Sequence, residues 1–201
     1  MTITNGYIDL PIYKLRFWDG DTTDHEDDPS LERVIEATSR AIDNITGRRF
    51  YAADETRYYT ATDTTEIQVD DLLSVTTLKT DENGDRTYEY TWATTDYDLM
   101  PYNAALKGWP YQWIEISVFP DYYFPLTRKG VEIAGSFGFS SATPADIVEA
   151  CLLGSHRYMK RTSTPLGVSA SAALGEMRLV VSQLRGDPDI MGLLSPYIQR
   201  L

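Results

Sequence analysis

The stretch Asp28–Tyr51, DPSLERVIEATSRAIDNITGRRFY, carries one helix with both of its end signals, and beyond it the chain turns from helical to strand character. Asp28 stands where an N-cap belongs, Pro29 at the first helical position, and Glu32 where the positive end of the helix dipole favours a carboxylate. Gly47 follows Ile45, the last apolar position, and suits the left-handed conformation that a β-carbon penalises; Arg48 and Arg49 stand beside the negative helix end. Leu31, Val34, Ile35, Thr38, Ala41, Ile42 and Ile45 recur at three- and four-residue steps and mark a buried face. Glu32, Arg33, Glu36, Ser39, Arg40 and Asp43 mark the wet face. A helix divided in this way needs another element to cover it.

The cover is expected at 143–161, TPADIVEACLLGSHRYMKR. Thr143 reads as N-cap, Pro144 as the first helical residue and Asp146 as part of a capping-box-like arrangement. Ile147, Ala150, Cys151, Gly154 and Tyr158, with Leu153 beside them, form the inner face, and Ala150 and Gly154 are small enough to admit a second helix closely. A shorter helix starts at Asp187-Pro188 and carries Ile190, Met191, Leu193 and Leu194 ahead of Pro196. Between the two long helices the chain is rich in Thr, Tyr, Val and Ile, with strands expected over Thr56–Ala61, Glu66–Val69, Ser74–Thr80, Arg86–Trp92, Tyr97–Met100, Trp113–Phe119 and Gly130–Gly135. Asn83-Gly84 predicts a hairpin between Ser74–Thr80 and Arg86–Trp92.

The fold class is therefore α+β. A helical core (1–47 and 141–201, with helices near 30–46, 143–161 and 188–195) is interrupted by an inserted antiparallel β domain at 48–140, either a sheet or a small barrel. Residues 1–18 form a short helix or packed arm. Residues 162–176, small, polar and glycine-punctuated, read as a mobile loop or an arm that orders against a neighbour.

At 201 residues and 42% hydrophobic content, the chain is long enough to bury a core. The formal charge of −12 argues against the basic surface that sequence-independent DNA binding requires. A single cysteine, Cys151, excludes an intrachain disulfide and points to a reducing compartment. No basic-then-apolar signal segment and no apolar run of ~20 residues is present, so the expectation is a soluble protein made in the cytoplasm with no membrane contact.

Chemistry is sparse. The acidic loop Asp19–Asp28 lacks EF-hand spacing, since its sixth position is Asp24 and its twelfth Ser30, so a solvated loop is the default reading and a metal loop the sharper one. His25 lies in that loop, and His156 reads as a surface side chain beside Arg157, Lys160 and Arg161. No nucleophile-plus-base pattern, zinc-protease motif, phosphate loop or dinucleotide fingerprint occurs. Gly135-Ser136-Phe137-Gly138-Phe139 is explained by a strand-to-turn position, and Asp70-Asp71 is one of many surface carboxylate pairs. No catalytic residue, cofactor or metal is assigned. Two aromatic loops remain, 102–112 with Trp109 and Tyr111, and 120–125 with Tyr122 and Tyr123; subunit packing is favoured over ligand stacking because no basic residues interleave them. Arg157, Lys160 and Arg161, with Arg48 and Arg49, complement helix ends in the plain reading and meet an acidic partner or phosphates in the sharper one.

Taken together, DDPSLERVIEATSRAIDNITGRRFY, DDLLSVTTLKTDENGDRTYE, VEIAGSFGFSSATPADIVEACLLGSHRYMKR and GDPDIMGLLSPYI resemble the head-to-tail connector, or adaptor, proteins of tailed bacteriophages and gene transfer agents, in the long form with an inserted β domain. The resemblance implies a structural virion protein without enzymatic activity. It implies a homo-oligomeric ring, commonly of twelve subunits, beneath the portal protein, joining it to a tail or stopper protein around a DNA channel. The C-terminal segment Asp187–Leu201 would reach the portal, making Asp187, Pro188, Ile190, Met191, Leu194, Tyr197 and Ile198 the expected partner contacts. Trp109, Tyr111, Tyr122, Tyr123, Arg157, Lys160 and Arg161 are the expected subunit contacts. The alternatives are a carbohydrate- or receptor-binding tail module using the aromatic loops, and a carboxylate-dependent hydrolase.

Overall fold

The computed structural model describes residues 3–18, 27–117, 122–162, 168–170, 177–179 and 184–199. The chain divides into two units, Met1–Arg48 with Thr143–Leu201 and, between them, Arg49–Ala142.

The first unit is built on α2 (Asp28–Thr46), preceded by α1 (Leu10–Phe17) and completed by α3 (Ala145–Thr162) and α4 (Pro188–Leu194). Helix α2 ends as its sequence demands, with Gly47 at φ 70 and its N–H donating to the Asp43 carbonyl. Its start lies one residue earlier than expected. Asp27 holds the cap position without a side-chain hydrogen bond, and Asp28 is inside the first turn, where its carboxylate meets Lys14 Nζ at 2.5 Å. Helix α3 starts later than expected: the Pro144 carbonyl accepts from the N–H groups of Ile147 and Val148, so Pro144 takes the cap place assigned to Thr143.

The buried side of α2 comprises Leu31, Ile35, Thr38, Ser39, Ile42 and Thr46. Ser39 was expected on the wet face and is fully buried, because its hydroxyl donates to the Ile35 carbonyl and accepts the Tyr7 N–H, leaving no unpaired polar atom to penalise burial. Opposite it on α3, Ile147, Ala150, Cys151, Leu152, Gly154 and Ser155 are buried. Leu152 takes the inward place expected for Leu153, and Tyr158 is only half-buried. Gly154 lies tightly against α2 and the turn at Leu184: a β-carbon there would stand 2.8 Å from both Thr38 Cγ2 and Leu184 Cδ2.

The second unit is an open antiparallel sheet rather than a barrel. Its strands are β1 (Ala53–Tyr59), β2 (Glu66–Thr80), β3 (Tyr90–Thr91), β4 (Tyr97–Met100), β5 (Tyr111–Ile116) and β6 (Val131–Phe137), in the order β1-β6-β2-β5-β4, with β3 pairing β2. Two strands expected separately, Glu66–Val69 and Ser74–Thr80, are one 15-residue strand whose register shifts absorb the irregular middle. The hairpin at Asn83-Gly84 exists, but its second strand contracts to Tyr90–Thr91. The reason is Asp81, whose carboxylate takes the N–H groups of Gly84 and Arg86 and holds residues 81–89 as a loop.

One face of the sheet carries the core, with Ile67, Val69, Leu72, Leu78, Ile114, Val131, Ile133 and Phe137 packed together with Trp92 and Phe124. Gly135 is required by the β2–β6 approach, since a β-carbon there would collide with the Ser74 carbonyl. Gly138, at φ 141, lies against the Tyr51 carbonyl in the same way. Part of the expected arm 162–176 forms a strand pair, β7 (Val168–Ala170) with β8 (Met177–Leu179); its other residues from 163 on, and the acidic loop at 19–26 with His25, lie outside the described residues.

Candidate functional site

The expected partner-binding segment is folded onto its own unit. Asp187 caps α4, accepting from the N–H groups of Asp189 and Ile190, and is almost wholly buried beside Arg157, which pairs with Asp187 and Asp189. Ile190 and Leu194 are fully buried, so they act as core. Past α4 the chain returns to the end of α2, where the Gln199 N–H donates to the Thr46 carbonyl and the Tyr197 carbonyl accepts from Arg48 Nε. An orphan carbonyl at a helix C-terminus is thereby satisfied. The Tyr197 hydroxyl donates to Asp146. The outward residues here are Pro188, Asp189, Gly192, Ser195 and Pro196, with Met191, Tyr197 and Ile198 half-buried.

The aromatic candidates separate. Tyr122 packs against the rings of Tyr90 and Trp92, and Phe124 stacks on Trp92 at 4.7 Å, so that part of 120–125 builds the sheet core. Tyr111 lies in β5 against the same core. Tyr123 is exposed, and Trp109 sets its ring edge against Phe139 while remaining 40% exposed. Tyr102 and Leu106 on the same loop as Trp109 are more exposed still, Leu106 at 87%. Lys160 lies exposed and Arg161 half-buried near the end of α3.

His156 was expected at the surface and is instead half-buried against α1. Its ring stacks on Phe17 at 3.9 Å, and its Nδ1 lies 3.2 Å from the Tyr13 hydroxyl. Burial, then the nearby Lys160, pulls its pKa below the ordinary histidine value, and burial pushes Tyr13 up to about 12. Sequence reasoning missed α1's inverted pattern: Lys14 is buried on Asp28 while Leu15 is 72% exposed. No sequence signal pairs Lys14 with a carboxylate fourteen positions on.

Three carboxylates, Asp81, Asp85 and Glu89, bring oxygens within 4.8 Å of one another. Each is already engaged, Asp81 with backbone N–H groups, Asp85 with the Thr87 N–H and Glu89 with the Asn83 amide, so the group reads as a structured turn. Asp70, half of the pair noted in the sequence, accepts from Arg57 and the Tyr59 hydroxyl. Cys151 lies fully buried near Ser39 and Ser155, and burial raises its thiol pKa.

These elements define an α+β protein in which a helical unit is interrupted by an antiparallel sheet with a core of its own. That architecture occurs in particle necks. A chain from the neck of an empty gene transfer agent (GTA) particle, computed with C6 symmetry, matches at TM-score 0.59 and 18% identity over 100% of this chain and 94% of that one. A chain from the neck of a native GTA particle, computed with C12 symmetry, matches at 0.54 and 19% over 95% and 91%. A chain from the virion of a native GTA particle matches at 0.53 and 20% over 90% and 84%. These likenesses show a shared fold. No protein-family model and no curated protein matches the sequence. Among the described residues no helix is long and apolar enough to cross a membrane.

Proposed function

We propose that this chain is a structural neck protein of a phage-like particle, a head-to-tail connector that forms a ring, a dodecamer in the fullest reading, and joins the portal of the DNA-filled head to the next tail or stopper component. The observation that carries the proposal is the match to a neck chain along the whole of this chain and nearly the whole of the other, both units included. In this reading the domain organisation is a helical connector core with the sheet as its insert, and the protein performs no reaction. The net charge of −12 suits a channel through which DNA passes without being gripped, because like charge keeps phosphates from adhering. Exposed Pro188 and half-buried Met191, Tyr197 and Ile198 at the C-terminus are the proposed portal contacts. Tyr123, Trp109, Lys160 and Arg161 are the proposed contacts between subunits.

The test is removal of the protein from the particle that encodes it, followed by electron microscopy of heads and tails. DNA-filled heads without attached tails, restored by supplying the full chain, are the expected result. Tails joined normally to filled heads in its absence overturn the reading.

A further inference from the structure

Between α3 and Leu184 the strands β7 and β8 form a sheet of only two members. Val168 pairs with Leu179, Ser169 with Arg178 and Ala170 with Met177, all antiparallel. Among the described residues neither strand pairs with a third, and the two belong to no larger sheet. A strand paired on one side still turns alternate N–H and C=O groups outward on the other, so β7 and β8 each present an open edge. A two-stranded hairpin is marginal in water by itself, and further strands or a packed face are what make it persist. Natural edges are kept from pairing by proline, by lysine or by bulges. These six positions carry one charge, Arg178, no proline and no shift of register, so nothing in them opposes pairing.

Direction decides which strand fits. Because β7 and β8 run opposite ways, the small rotation that carries one copy of a many-membered ring onto the next sets β8 of the first antiparallel to β7 of the second. The six-stranded sheet lacks this property. Its outer strands β1 and β4 are four antiparallel steps apart and run the same way, so the same rotation would set them parallel, the weaker pairing.

Resting on the neck-ring reading, we propose that β7 and β8 are an interface between copies: β8 of each subunit pairs with β7 of the next, and the hairpins close into one continuous antiparallel sheet around the ring. The occupant of each open edge is a second copy of this chain, held by backbone hydrogen bonds. Two strands from each of twelve copies, ~4.8 Å apart, make a circumference of about 115 Å and place the hairpins about 18 Å from the ring axis, where they line the channel.

The test is hydrogen exchange of the full chain, free and in assembled particles, read at residues 168–170 and 177–179, alongside the variants Ser169→Pro and Ala170→Pro. Successive N–H groups of a strand point to opposite edges, so one proline strikes the outer edge of β7 and the other its pairing with β8. Exchange at these amides should be about a hundredfold slower in the particle than in the free chain, at every position of both strands. Each proline should lower incorporation into tailed particles roughly tenfold and leave the melting of the free chain unchanged, which separates lost pairing from lost folding. Equal protection in the free chain overturns the proposal, because the chain's own residues then cover the edges. Alternate amides left open in the particle, or prolines that assemble normally, overturn it as well. So do cross-links from Ser169→Cys that reach the portal or tail protein in place of a second copy. Tailed particles that hold the chain with these amides open overturn this contact and leave the neck reading standing, whereas particles that lack the chain overturn both.

Discussion

Replacing Ile42 with aspartate is the sharpest test of how the helical unit is held together. Ile42 is 0% exposed on the inner side of α2, whose partner α3 lies about a hundred positions away in sequence. Losing the buried isoleucine alone, as in Ile42→Ala, costs about 2–5 kcal/mol in transfer and cavity terms. An unpaired carboxylate in the same place adds several kcal/mol more, or titrates to its neutral form. The sum is comparable to the ~5–15 kcal/mol that holds an ordinary domain together. Ile42→Asp should therefore unfold Met1–Arg48 with Thr143–Leu201 at neutral pH and recover part of its structure as pH falls and the carboxyl takes up a proton. The assay is hydrogen exchange read by segment, together with tryptophan fluorescence, since Trp92, Trp109 and Trp113 lie in the sheet unit and only Trp18 in the helical one. Exchange protection in α2 and α3 unchanged from the unaltered chain would show that Ile42 does not face α3.

Other substitutions probe the remaining contacts. Gly135→Ala drives a methyl group into the Ser74 carbonyl and should cost the sheet unit about 1–3 kcal/mol, measured by denaturant unfolding. Glu55 is hydrogen-bonded by Arg49 and Arg57, which hold its carboxyl below the usual range, so its contribution is present above the unfolded-state value and is lost as pH falls through the lower folded value. Glu55→Gln should then flatten the acid limb of the sheet unit's stability curve; an identical acid limb would contradict the pairing. Cys151, protonated and enclosed, should react with a thiol reagent at neutral pH only as fast as the helical unit opens, and labelling at the rate of a free thiol would contradict its burial.

Helix positions were legible because capping chemistry and a 3.6-residue period are local. Gly47, the Pro-led starts and the small residues Ala150 and Gly154 speak for themselves within a few turns. Ser39 and Lys14 were not legible, because what permits their burial, the Tyr7 N–H and the Asp28 carboxylate, comes from elsewhere in the chain. Strand existence was readable from composition, but the order β1-β6-β2-β5-β4 was not, since each choice of neighbour rests on backbone bonds that carry no side-chain signature. Glu66, Asp98 and Glu115 likewise look like three unrelated surface acids until β5 is placed between β2 and β4, where register sets them directly opposite one another. The resemblance implies partner contacts for Ile190 and Leu194, and no local signal in the sequence shows that both are buried in their own unit.

The pairing of β1 with β6 has a bearing on how the helical unit comes together. In an unfolded chain, bringing α2 to α3 closes a loop of ~95 residues, an entropic cost of about 4 kcal/mol from the logarithmic length dependence. Once Ala53 is opposite Phe137 and the Phe139 N–H donates to the Arg49 carbonyl, the two ends of the insert already lie side by side. The sheet then acts toward the helices as a disulfide acts toward the loop it spans, a cross-link made of hydrogen bonds. A lesion that unpairs β1 from β6 would be felt as lower stability of a helical unit whose own residues are untouched.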